Sequence, residues 1–146
     1  MPADSERVAL PHTWRPLGPR MAGIAGGLML LLLLLATWVL LPPAVRDQFT
    51  TFQRITLVVM LGLGGAIFHA LTRSRLDATE AGLTVVNGYK VRHLEWAEVV
   101  AVHLPPGAPW ATLDLADGET CAVMGIQGSD GARARRAVRQ VRALLP

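Results

Sequence analysis

Two kinds of hydrophobic pattern divide the chain. From Met21 to Leu41 the run MAGIAGGLMLLLLLLATWVLL is apolar throughout and carries no charge. The run ITLVVMLGLGGAIFHAL, Ile55 to Leu71, repeats the pattern with one ionisable residue, His69. At about 1.5 Å of rise per helical residue, the first run crosses a hydrocarbon core of ~30 Å. Beyond residue 80 apolar and polar residues alternate, which is the period of half-buried strands. Near the end the period changes again. In ARARRAVRQVRALL the residues Ala134, Ala137, Val138, Val141, Leu144 and Leu145 fall on one helical face, and arginines cover the rest.

The first run is too long for a signal-peptide core, and Pro42-Pro43 is no small-residue cleavage site. The pattern therefore predicts a cytoplasmic tail (1–20), a membrane helix (21–41), a short external loop (42–54) and a second membrane helix (55–71). A mainly-β domain follows (72–146), ending in a helix over 131–145. Arg7, Arg15, Arg20, Arg73 and Arg75 flank one side of this hairpin, against Arg46 and Arg54 on the other. Arginine excess marks the cytoplasmic side, so both termini are expected there in a multi-pass cell-membrane protein. Trp14 and Trp38 suit interfacial aromatic positions. Gly23, Gly27, Gly62 and Ala66 have the small-xxx-small spacing that lets helices pack closely, and packing of one span on the other is the preferred reading. His69 lies two residues from the predicted helix end, where its ring can reach the headgroups.

Within the β region, strands are predicted at 76–78, across the hairpin GLTVVNGYKVRHLEW, at Glu98–Leu104, and in a second hairpin of Trp110–Leu115 and Thr120–Met124 around Asp117-Gly118. The first hairpin poses a register problem. A two-residue Asn87-Gly88 turn puts Leu83, Val85, Lys90 and Arg92 on one face, which segregates poorly. A three-residue loop, Val86-Asn87-Gly88, with Gly88 left-handed in a bulge, puts Leu83, Val85, Tyr89 and Val91 inside. Lys90 and Arg92 then point out. The sequence favours this second register. Trp96 reads as a core anchor beside the third strand. Asp130 or Ser129 can cap the terminal helix.

Composition changes the picture in two places. Thirteen of the 14 basic residues are arginine, and Lys90 is the only lysine. The net charge of +3 conceals segregation: from Leu76 onward seven basic residues meet eight acidic ones, and five of the seven lie between Arg133 and Arg142. The sheet is acidic and the helix basic, unlike the broad basic face of a nucleic-acid binder. One cysteine, Cys121, excludes an internal disulfide.

Candidate chemistry is sparse. Lys90 and Arg92, with Arg135, Arg139 and Arg142 of the helix, are the candidate protein or anionic-lipid contacts. Gly88 and Trp96 are structural anchors. The glycines of 125–131 precede a helix, but no Lys-Ser/Thr of a phosphate loop follows. His93 and His103 lack ligand spacing to Cys121, so no metal site is expected. No catalytic set and no cofactor motif can be nominated.

GLTVVNGYKVRHLEWAEVVAV, followed by LDLADG and MGIQGSDGARARRAV, resembles the bacterial PH-like domain of the low molecular weight protein antigen 6 type. That family occurs in actinobacterial membrane proteins, often behind two transmembrane helices. The resemblance spans Asp77 to Val141 plus the two-helix layout. It implies a small PH-like barrel or sandwich capped by the C-terminal amphipathic helix. It implies no reaction and no ligand residues. The expectation is a non-enzymatic membrane protein that presents this domain for protein binding or weak headgroup binding. The alternative is an accessory subunit of a membrane enzyme or transporter, working through its helices.

Overall fold

A computed structural model describes residues 8–146 of the chain. The apolar runs form two long helices, α1 (Gly18–Leu40) and α3 (Thr51–Thr72), joined by a short helix α2 (Pro43–Arg46). Both long helices have the length and hydropathy to cross a membrane. Their exposed surface is aliphatic over most of its length. The hydroxyls of Thr37 and Thr56 bond back to the carbonyls of Leu33 and Phe52, so neither leaves an unpaired polar group on an apolar helix. A local capping box starts α3: the Thr50 N–H donates to Gln53 Oε1 at 2.9 Å, and the Gln53 N–H donates to Thr50 Oγ1 at 3.3 Å.

The helices touch where Gly23 of α1 meets the Phe68 ring of α3. A methyl group on Gly23 would lie 2.8 Å from that ring. Gly26, Gly27, Gly62, Gly64 and Gly65 face open space. The expectation that the glycines pack the two helices together therefore holds at Gly23 and fails at the others. At the far end Trp38 meets Phe49 edge-on, with ring centroids 5.4 Å apart.

The β domain is a sandwich of two antiparallel sheets. One has the order β1-β2-β3-β4, made of His12–Trp14, Arg75–Thr79, Gly82–Asn87 and Lys90–Glu95. The other is β5-β6-β7, made of Val99–His103, Trp110–Leu115 and Thr120–Gln127. Helix α4 (Ala132–Arg142) covers the core with Ala134, Ala137, Val138 and Val141. That core joins Leu76, Leu83, Val85 and Leu94 of the first sheet to Val102, Leu113 and Val123 of the second. The sheets meet closely where β7 crosses β2: any side chain at Gly125 would strike the backbone of Arg75.

Strand β1 comes from the segment expected to be a tail. It pairs with β2 as His12↔Ala78, Thr13↔Asp77 and Trp14↔Leu76. Thr13 Oγ1 donates to Asp77 Oδ1 at 2.8 Å, and Asp77 also holds Arg75 at 2.7 Å. Trp14 is not an interfacial residue. It is 7% exposed, sits in the core, and donates its indole N–H to Gln140 Oε1 of α4 at 2.9 Å. A three-residue strand is too short to show a period, so the pattern could not reveal it. The helical pair is thus an insertion between two paired strands of one sheet.

The first hairpin also departs from expectation. Its pairs run Asn87↔Lys90, Val85↔Arg92 and Leu83↔Leu94, so the turn is Gly88-Tyr89. Gly88 is left-handed as expected, with φ +62°, but at the first central position of a two-residue loop. Lys90 and Arg92 therefore share the inner face with Leu83 and Val85, and Tyr89 and Val91 are exposed. Segregation failed as a guide because β4 is an edge strand buried only at Leu94.

Candidate functional site

Two features of the sandwich stand out. The first is a set of contacts that fastens the domain to both helix ends. Asp130 does not cap α4, whose N-cap is Gly131 with no side-chain bond. Its carboxylate turns instead to α1, accepting from the N–H of Leu17 through Oδ2 and of Gly18 through Oδ1, each at 2.9 Å. A helix begins with unpaired N–H groups and partial positive charge, so a carboxylate there satisfies both.

The hairpin tip grips the last turns of α3 by donating to its backbone. The Tyr89 hydroxyl donates to the Ala66 carbonyl at 3.0 Å and lies 3.1 Å from His69 Nδ1. The Arg73 guanidinium stands over the Tyr89 ring at 5.5 Å. The Gly88 N–H donates to the buried Ser74 hydroxyl at 3.0 Å, and that hydroxyl is itself 3.4 Å from the Ala70 carbonyl. The His69 ring, near the end of α3, faces Tyr89.

The second feature is a cleft of about 590 Å³ between β4 and β7, lined by Val85, Asn87, Lys90, Val91, Arg92 and residues 120–122. Polar contacts close both ends. At the helix end Asn87 Nδ2 donates to the Ala122 carbonyl at 2.6 Å, and the Met124 N–H donates to Asn87 Oδ1 at 2.9 Å. At the far end Arg92 pairs with Glu119 at 3.2 Å, which raises the arginine's pKa further. Burial raises the pKa of the Cys121 thiol on the cleft wall, and the nearby Arg92 opposes that shift.

The candidate cations do not converge. Lys90 and Arg92 line this cleft. Arg135 lines a different cavity of about 380 Å³, between the 104–109 loop and the start of α4. Arg139 is exposed on the outer face of α4. Arg142 donates to the Val102 carbonyl at 3.0 Å, which pins the helix to β5. Trp96 is half-buried against the core, and its indole N–H donates to the Thr79 carbonyl at 3.0 Å. His93 and His103 form separate cross-strand contacts with Thr84 (3.0 Å) and Asp114 (2.6 Å). Sequence reasoning missed Asn87, Asp130 and Tyr89. Their residue types pointed to a turn, a local cap and a core ring.

Residues 73–144 match the family described as Bacterial PH domain. Uncharacterized protein Rv1417 of Mycobacterium tuberculosis and Uncharacterized protein Mb1452 of Mycobacterium bovis are each 36% identical to the chain over 154 residues. Each alignment covers 99% of this chain and 91% of the relative. No solved structure gives a significant match. The chain belongs to the bacterial PH domain family, as a PH-like sandwich preceded by two helices able to span a membrane. The match begins at residue 73 and so leaves out β1, which the fold supplies from before the helices.

Proposed function

We propose that the chain is a non-enzymatic membrane protein whose PH-like domain is a binding module held rigidly at the cytoplasmic face. The observation that carries this reading is the double attachment, Asp130 to the start of α1 and Tyr89 to the last turns of α3. Pairing of β1 with β2 supports a hairpin whose two attached helix ends share one side of the membrane. The arginine bias favours the cytoplasm for that side. A domain tethered this way needs no lipid affinity to find the membrane, and high local concentration lets weak contacts suffice. Protein is the preferred ligand, because the domain is acidic overall and its basic residues do not converge on one broad basic face. Anionic headgroups are the weaker candidate.

The test has two parts. Cysteines placed at Ala44 and Ala116 in a Cys121→Ala background should label differently with an impermeant reagent on intact cells. Labelling at Ala44 alone is expected, and labelling at Ala116 would reverse the topology. Proximity labelling should then compare the native chain with one whose apolar segments are exchanged, keeping Leu17–Arg20 and Ala66–Thr72. An unchanged set of neighbours supports a binding module.

A second reading, an accessory subunit working through its helices, has one observation in its favour. Gly26, Gly27, Gly62, Gly64 and Gly65 present faces that the other helix leaves uncovered. Loss of the neighbours on helix exchange would establish that reading instead.

A further inference from the structure

The cleft between β4 and β7 is bounded by two strand edges. Strand β4 pairs with β3 alone, and β7 with β6 alone. At one end of the cleft Asn87 already treats β7 as a strand edge. Its amide gives a donor to the Ala122 carbonyl and an acceptor to the Met124 N–H. Those are the two bonds that one residue of a neighbouring strand would make. Main-chain groups alternate sides along a strand, so Thr120 presents its N–H and carbonyl to the same side as Ala122 and Met124. The ladder that Asn87 begins has room to continue along the cleft.

The opposite wall is charged where a sandwich is usually aliphatic. Lys90 and Arg92 occupy inward positions of β4. Lys90 has no acidic partner among the described residues. Arg92 has one, the exposed Glu119 at 3.2 Å. Inward charge on an edge strand also prevents pairing with unselected strands. A guest strand of opposite charge converts that guard into recognition, since side chains two residues apart project to the same wall.

We propose that this cleft binds an extended acidic polypeptide segment of a partner protein. The segment adds as a strand to the free edge of β7 from Ala122 toward Thr120, with acidic side chains at alternate positions meeting Lys90 and Arg92. The proposal rests on the binding-module reading and names its ligand class.

Displayed random peptides of about six residues, a typical strand length, serve as probe. The target is the full chain in nanodiscs of zwitterionic lipid. Expected are peptides with Asp or Glu at alternate positions that protect Cys121 from alkylation. Their affinity should fall about tenfold or more in Lys90→Gln with Arg92→Gln, and should be unchanged in Arg135→Gln. N-methylation of alternate peptide amides should abolish binding, because it removes ladder donors. Near-UV circular dichroism checks that the double variant is folded.

Selected peptides that bind elsewhere, leaving Cys121 reactive and ignoring the double variant, overturn the cleft proposal and leave the binding module standing. Failure to select any peptide overturns the proposal. If proximity labelling also ties the neighbours to the helices, the binding module falls with it. Anionic vesicles that protect Cys121 while acidic peptides do not would assign the cleft to lipid and overturn the proposal.

Discussion

Asp130 caps a helix that begins 112 residues earlier in the chain, its Oδ1 accepting from the Gly18 N–H at 2.9 Å. The terminal turn of the β domain thereby closes the N-terminus of the first apolar helix. The stability of that helix start and the packing of the domain become one property.

Asp130→Ala should destabilise the junction by about 0.5–2 kcal/mol, the usual range for an N-cap. Hydrogen exchange at the Leu17 and Gly18 amides in nanodiscs checks this. Both should exchange faster, while the Gln53 amide, capped locally by Thr50, should not change. Equal acceleration at both helix starts would mean that the substitution acts on the fold as a whole.

Trp14 belongs to the β domain, so residues 73–146 alone should not fold stably. The fragment lacks β1 and the ring that closes the core beside Gln140. Trp14→Ala in the full chain should cost about 3–5 kcal/mol. A fragment in which residues 8–16 are joined to residue 74 by a flexible linker should recover cooperative unfolding. A well-folded 73–146 fragment would contradict this account.

The faces of α4 make separable predictions. Val138→Asp buries a carboxylate among Ala134, Val141 and the sheets, where burial costs several kcal/mol, and should unfold the domain. Arg135→Glu changes an exposed residue and should leave the unfolding midpoint nearly unchanged. Circular dichroism during denaturation distinguishes the two.

The Cys121 thiol titrates above its ordinary range because burial disfavours the thiolate. A folded-state pKa above the unfolded value contributes stability below the unfolded pKa, and that contribution is lost as pH rises through the folded one. Iodoacetamide should therefore modify the native thiol more slowly than the unfolded one, with a pH–rate midpoint displaced upward. Arg92→Ala removes a cation that favours the thiolate and should displace the midpoint further. A midpoint that moves down would contradict the assignment.

The sequence determined what periodicity and length can encode. Two uninterrupted apolar runs make long helices, whatever the rest of the chain does. Alternation from residue 80 makes strands, and the three- and four-residue spacing of Ala134, Val138 and Val141 places α4 on the core. These signals are local and summed over many residues, so they survive without neighbours. The family resemblance was legible for the same reason, because it rests on the strand pattern around Gly82 and Trp96.

The tertiary structure decided everything that depends on one or two residues meeting distant ones. His12–Trp14 is a strand only because Arg75–Thr79 lies beside it, with the helical insertion between them. Lys90 and Arg92 face inward because β4 is an edge strand opening on a cleft, where charge can stay hydrated. Asn87 serves β7, Tyr89 serves α3, and Asp130 serves α1, although each residue type suggested a local role. A single polar side chain carries no period, and its partner is chosen by whichever backbone group the fold brings within reach.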